Sequence, residues 1–315
     1  MNTNGQALQD PTDVTTKRPG SILITGGTGM VGQALQERLL GDRRCAVALT
    51  RGAAQADNAS WDPAEGRIDL GPHPFDAVVH LAGENIATGR WTDAKMSAIR
   101  ESRVVGTRLL CEALAKAENK PSVLVSASAI GYYGNRGEQT LPENASAGLG
   151  FLPEVCAAWE AATEPARAAG IRVVNLRIGI VLDTAGGALA KMLTPFKLGA
   201  GGKLGSGDQY MSWITTRDLV SIIEKAIDDP RYEGPINAVA PNPVTNAEFT
   251  KTLGRVLKRP TIAPMPAFAA RLAFGKMADA LLLSSPRIDS KRLNELEFPF
   301  QDAQLEGALR GLLNG

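Results

Sequence analysis

The chain has 315 residues, 34 of them basic and 33 acidic, for a formal net charge of +1, with 44% hydrophobic and 21% charged residues. That length is enough for about two domains and a large core. The composition excludes a fibrous chain, a wholly disordered one and a highly charged nucleic-acid binder, though balanced charge leaves room for a local anion site.

Residues 1–19 read as a disordered polar tail with no apolar core, hence no signal peptide. Residues 21–25 (SILIT) form an apolar run that ends in glycines and predicts a buried strand. Val31, Leu35 and Leu39 stand at helical spacing and predict a helix over 30–40, with Gly41 as its C-cap. Strands are predicted over 45–50, 75–82, 122–127 and 171–177, and helices over 93–117 and 153–169. Nearly all-apolar strands alternating with helices mean a parallel sheet covered on both faces. The expected fold is α/β, a Rossmann doubly wound parallel sheet. After about Gly179 the pattern changes. Residues 199–207 hold five glycines in nine, too irregular for a sheet interior, and suggest a lid insertion at about 183–212. Short strands over 213–215 and 236–239 bracket a helix over 216–227. From Thr245 the pattern is helical with breaks at Pro260, Pro264, Pro266, Pro286 and Pro299. The expected organisation is a Rossmann domain over 20–240 and a small helical C-terminal domain over 241–315.

No run reaches the roughly 18 apolar residues of a membrane span. Cys45, Cys111 and Cys156 are widely spaced, and only His73 and His80 represent histidine. Neither a disulfide framework nor a metal centre is expected, and a reducing, cytoplasmic setting is.

Between the first strand and first helix stands Thr25-Gly26-Gly27-Thr28-Gly29-Met30-Val31-Gly32. Gly26 suits a tight turn, Gly29 a close approach to pyrophosphate and Gly32 close helix packing, with the helix N-terminus completing a dinucleotide site. The second predicted strand ends in Thr50-Arg51, with no acidic residue to bond a ribose 2′-hydroxyl. An arginine there suits a 2′-phosphate, which favours NADP over NAD. Leu81, Ala82 and Gly83 end the next strand where adenosine and ribose would lie, and His80 reads as a structural strand residue. Arg103 interrupts an apolar helix stripe with Ile99, Gly106, Leu110 and Leu114, so a negative partner such as bound phosphate is expected. Ser128, Tyr132 and Tyr133 leave the fourth strand where nicotinamide and substrate would meet, and are the catalytic candidates. In the glycine-rich insertion and beyond it, Lys191, Gln209 and Trp213, with Lys197 and Lys203, are candidates for holding an anionic or nucleotide-like substrate.

In this order TGGTGMVG, HLAGENI, SASAIGYYG, LRIGIVL, GGALAKMLTPFKLG and SWITTRDL resemble the extended short-chain dehydrogenase/reductases. The resemblance is greatest to an atypical, NAD-dependent epimerase/dehydratase-like branch with a short C-terminal domain of unknown function, which PMPAFAARLAFGKMADALLL and ELEFPF resemble. It spans about residues 21–310 and implies an NADP-binding Rossmann domain with a small second lobe. Active members of that family carry Tyr-x-x-x-Lys on the helix after the serine strand; here Leu152 and Cys156 fall at those places. Arg103 stands where many members have an asparagine, and could take over the contact of the lost lysine. Two functions follow: an NADP-dependent oxidoreductase or epimerase on a small-molecule substrate, or a non-catalytic NADP-binding regulator acting through a partner. Neither nucleic acid nor a membrane is an expected partner, and an oligomer is compatible with the chain.

Overall fold

The computed structural model describes residues 20–51 and 59–314, the side chains of Arg51 and Asn314 excepted. In chain order the strands are β1 (Ser21–Thr25), β2 (Cys45–Arg51), β3 (Ser60–Asp62), β4 (Arg67–Asp69), β5 (Ala77–His80), β6 (Val123–Ala129), β7 (Thr140–Leu141), β8 (Arg172–Ile178), β9 (Ile180–Leu182), β10 (Tyr210–Met211), β11 (Trp213–Thr215), β12 (Gly234–Ala238), β13 (Val244–Thr245) and β14 (Arg287–Ile288). The main sheet runs β12-β8-β6-β5-β1-β2-β3-β4. Its neighbours are parallel except β3 and β4, an antiparallel edge that departs from the all-parallel expectation. The chain leaves β1 toward β2 on one side and returns to β5 on the other. The carboxyl ends of β1 and β5 therefore flank the switch point where a doubly wound sheet opens its crevice.

The helices are α1 (Met30–Gly41), α2 (Asp93–Lys116), α3 (Phe151–Ala161), α4 (Glu164–Ala168), α5 (Gly187–Lys197), α6 (Thr216–Asp228), α7 (Asn246–Leu257), α8 (Ala267–Phe274), α9 (Lys291–Glu295) and α10 (Leu305–Asn314). Leu35 and Leu39 of α1 and Leu219, Ile222 and Ile223 of α6 cover one sheet face. Leu110 and Leu114 of α2, with Ala166 of α4, cover the other. The helix expected over 153–169 is two helices. The Thr163 hydroxyl donates to the Glu160 carbonyl at 2.6 Å, and Pro165, in the first turn of α4, has no N–H to continue the ladder.

In the C-terminal part, α7 and α10 pack around Phe249, Leu253 and Leu309. Helix α5, inside the segment expected as a lid, buries Leu189, Leu193 and Phe196 in this same core. The chain end is stitched back to the sheet. Strand β14 pairs with β7, and the Asn237 side-chain amide donates to the Asp289 carbonyl at 2.8 Å. The Asp218 carboxylate accepts the Gln301 and Asp302 N–H groups at 3.0 and 2.9 Å. Among the described residues no helix is long and apolar enough to cross a membrane. All three cysteines are free, with Cys111 and Cys156 buried.

Candidate functional site

The glycine turn lies hard against the end of β5. Gly26 has φ +72°, and a Cβ there would stand 2.8 Å from the Leu81 carbonyl carbon and the Ala82 nitrogen. A Cβ at Gly32 would stand 2.3 Å from the Gly26 oxygen. Helix α1 then starts with no side-chain cap and no acidic residue in its first turn. Its open N–H groups and positive dipole end suit an anion. Thr28 and Gly29 are exposed and Met30 and Val31 half-buried. Met30 also meets the start of α5, its sulfur 3.3 Å from where a Gly186 Cβ would be. Gly26, Thr28, Gly29, Met30, Val31 and Gly32 thus share one end of the sheet with Leu81, Ala82 and Gly83. Thr50 is exposed at the end of β2. Arg51 closes that strand opposite Trp61, and its side chain lies outside the described residues.

His80 is a fixed part of this scaffold. The Thr25 hydroxyl oxygen accepts the Leu81 and Ala82 N–H groups, both at 3.2 Å. Its own proton therefore goes to His80 Nδ1 at 2.6 Å, and His80 Nε2–H donates to Thr107 Oγ1 at 2.9 Å. Burial first, then the charge of Arg103, lowers the His80 pKa from 6.5 to about 4. The unfolded chain therefore takes up a proton that the folded chain refuses, and stability falls as pH drops through 6.5 and levels off near 4. The contribution is on the order of 3 kcal/mol. Buried carboxyls such as Glu143 and Asp218, whose pKa values burial raises, act in the opposite sense. The difference between wild type and His80→Gln in denaturant unfolding from pH 7 to 4 isolates the histidine, and a flat difference would refute this account.

Arg103 reaches from α2 to the same place. One of its terminal nitrogens donates to the Glu84 carbonyl at 3.0 Å and to the Ile99 carbonyl at 3.2 Å. The guanidinium carbon sits 5.0 Å from the Trp159 ring centroid and 3.2 Å from where a Gly83 Cβ would be. Its Nε and second terminal nitrogen make no hydrogen bond within the described residues. Burial lowers its pKa, against Cys156 and Glu84, which raise it. Glu84, a residue the sequence reading passed over, pairs with Lys95, whose ammonium also donates to Thr88 at 3.1 Å.

The serine strand meets α3 along one helical stripe. Ser128 Oγ donates to Glu160 Oε1 at 2.7 Å. Arg177, at the end of β8, grips both Glu160 oxygens at 2.8 and 2.9 Å. Arg177 also donates to the Tyr133 hydroxyl and the Glu143 carbonyl, both at 2.8 Å, and lies 3.6 Å from the Tyr132 ring centroid. Burial opposes the Arg177 charge, but the Glu160 bonds outweigh it and its pKa is raised. Neither Glu160 nor Arg177 was a candidate from sequence, yet an arginine ending an apolar strand run was a visible signal. Cys156 lies one turn before Glu160; burial and then the Glu160 charge push its thiol up to about 12, so it stays protonated near neutrality.

Several candidates have other employment. Tyr133 is fully buried, donates to Asn237 Oδ1 at 2.7 Å, and has its pKa pushed up to about 12 by burial. It braces the site, whereas Tyr132 is half-buried with its ring against the Arg177 guanidinium. Trp213 has no exposed surface, and its indole donates to the Asn242 carbonyl at 3.1 Å. It therefore offers no aromatic face to a ligand. The Gln209 amide is spent on the Leu204 and Leu282 carbonyls at 3.0 and 3.1 Å. Lys191 is exposed and donates to the Ala87 carbonyl at 2.7 Å, tying α5 to the loop after β5. Lys203 donates to the Ser206 carbonyl at 2.9 Å, and Lys197 is exposed. Among the described residues, no group of three or more His, Cys, Asp or Glu is arranged to hold a metal.

This arrangement has close counterparts. The NAD dependent epimerase/dehydratase family model matches residues 22–239, and that of a domain of unknown function, DUF1731, matches residues 265–312. Epimerase family protein Mb2239 of Mycobacterium bovis is 42% identical over 292 residues, 91% of this chain and 96% of the relative. The crystal structure of human epimerase family protein SDR39U1 (isoform 2) with NADPH is similar with a TM-score of 0.85 at 30% identity, covering 94% of this chain and 99% of that one. UDP-N-acetylglucosamine 4-epimerase from Bacillus cereus shares the fold with a TM-score of 0.70 at 19% identity, over 93% of this chain and 97% of that one. On a match that spans most of its length, the chain belongs to the NAD dependent epimerase/dehydratase family.

Proposed function

We propose that this protein is an NADP-dependent oxidoreductase or epimerase of the extended short-chain dehydrogenase/reductase type, acting on a small-molecule substrate. The observation that carries the cofactor part is the cradle at the switch point. Cβ atoms at Gly26, Gly32 and Gly83 would meet neighbouring atoms at 2.8, 2.3 and 3.2 Å, so side chains are kept out where a dinucleotide must approach backbone. The residues present fit the group. Gly29, Met30 and Val31 would hold the pyrophosphate, and Arg51, at the end of β2, would take the 2′-phosphate. The NADPH in the human relative's structure supports the same choice. NADP(H), when bound, carries the hydride.

The chain's own part lies around Ser128. Ser128 is 2% exposed and donates its proton to Glu160, which leaves the oxygen's lone pairs to accept a hydrogen bond from a substrate hydroxyl. As that hydroxyl loses its proton, Ser128 passes one on to the Glu160 carboxylate 2.7 Å away. Arg103, whose second terminal nitrogen lies 3.3 Å from where a Gly83 Cβ would be and makes no hydrogen bond within the described residues, takes the ribose or phosphate contact that a lysine makes in active relatives.

A second reading, a non-catalytic NADP-binding regulator acting through a partner, is favoured by Leu152 and the protonated Cys156 at the places of that tyrosine and lysine. NADPH titration tests the cofactor site that both readings share. Arg103→Ala is expected to weaken NADPH binding about ten- to a hundredfold; unchanged affinity would remove Arg103 from the cofactor site. NADPH consumption across ketones, and epimer formation from nucleotide sugars with bound NADP⁺, then decide between the readings, and tight binding with no turnover in either assay would leave the regulator reading standing.

A further inference from the structure

We infer that the substrate subsite beside Ser128 is apolar, that the C-terminal lobe builds part of its wall, and that it accepts a carbonyl compound or alcohol with an aromatic or branched-alkyl body. The inference rests on the reading of Ser128 as the group that meets the substrate oxygen.

Leu152, Cys156 and Glu160 lie one turn apart on one face of α3. Glu160 bonds Ser128 at 2.7 Å. A Cβ on Gly131, three residues after Ser128, would lie 3.6 Å from the Cys156 sulfur and 3.4 Å from Leu152 Cβ. The polar stripe at Ser128 therefore becomes apolar within one turn. Leu152 belongs to a cluster built on buried Trp91, Ile99 and Met277, which half-buried Ile86, Phe274 and Leu281 also join. Phe274, Met277 and Leu281 come from the C-terminal lobe. The Trp91 indole spends its one donor on the Ile86 carbonyl at 2.8 Å, and its ring stands edge-on to Phe151 with centroids 5.5 Å apart.

With the Trp91 donor spent, the side chains of this cluster offer a ligand no hydrogen bond. A hydroxyl-rich sugar set against it would leave hydroxyls desolvated and unpaired, whereas an apolar body gains by leaving water. Apolar walls with a few placed polar groups are the usual make-up of a small-molecule site, and here Ser128 and Arg103 are the polar groups. Of the residues expected to grip an anionic sugar nucleotide, Gln209 and Trp213 are occupied inside the protein, and Lys191 and Lys203 donate to the Ala87 and Ser206 carbonyls.

The test uses the full chain, with acetophenone and UDP-glucose as probes, by ligand-observed NMR and calorimetry, with and without NADP⁺. Acetophenone is expected to bind and UDP-glucose is not. Phe274→Ala and Leu152→Asn are expected to weaken acetophenone at least about tenfold while leaving NADP⁺ affinity within about twofold. Phe274 is half-buried and α8 is a surface helix, so Phe274→Ala keeps the test valid if Leu152→Asn misfolds. The inference is overturned if acetophenone fails to bind, if it binds both variants as tightly as wild type, or if UDP-glucose binds in its place. A failure of NADP⁺ itself to bind would strike the cofactor reading instead, because the probe titrations without cofactor still report on the wall.

Discussion

Replacing Arg177 with methionine is expected to cost about 3–5 kcal/mol of folding stability, because it leaves the Glu160 carboxylate inside the protein without its cation. The side chains of the pair are only 4% and 13% exposed, so water cannot take over. The same change removes the donor to Tyr133 and the partner of the Tyr132 ring. Against a typical total of about 5–15 kcal/mol, such a loss leaves little margin. Arg177→Met with Glu160→Gln is expected to recover about half of it, since the stranded charge is gone and the amide still accepts from Ser128. Arg177→Lys falls between, keeping the charge but losing the two-pronged grip and the stacking. Urea unfolding of the four proteins measures these differences. If the double variant were no more stable than Arg177→Met, the stranded charge would not be the cause.

Gly32→Ala is expected to lower NADPH affinity by about a hundredfold, equivalent to about 2.7 kcal/mol, and stability by about 1–3 kcal/mol. The added methyl meets only backbone, the Gly26 oxygen at 2.3 Å and the Gly27 Cα at 2.8 Å. No flexible side chain can give way, so the turn and the first turn of α1 must part. Gly41→Ala, at the other end of α1 with nothing within 4 Å of the new carbon, is the control and should lose nothing. Fluorescence titration with NADPH and thermal unfolding of both variants check this. Wild-type affinity in Gly32→Ala would mean that the cofactor does not depend on that turn.

The central strands could be read because burial on both faces leaves an unbroken apolar run, as in Val123, Leu124 and Val125, with no competing periodicity. The β3–β4 hairpin could not, because its strands have three residues each and Trp61 is their one large buried side chain. The glycine turn was legible because local backbone geometry alone demands those residues. Arg103 stood out as a charge in an apolar stripe, but its satisfaction by two backbone carbonyls and the Trp159 ring depends on tertiary placement. Glu160 and Arg177 are 17 residues apart on different elements and become a pair only when α3 packs against the sheet beside β6. Trp213 and Gln209 show the converse error. An aromatic and an amide near a glycine-rich segment look like ligand contacts, and only packing reveals that the core has claimed them.

The return of the chain end to the sheet has a kinetic side. The Asn135 side chain accepts the Ser285 N–H, a contact 150 residues apart in sequence, and Asn237 joins Tyr133 to the Asp289 carbonyl. The loop that carries Tyr133 is therefore completed by residues about 150 positions later in the chain. Closing so long a loop is entropically slow. The nascent protein can assemble β1, α1 and β2 early, since those contacts are local. Its Ser128 face matures only after β14 has been made, so a chain stopped short of β14 would carry the phosphate turn without a finished reaction site.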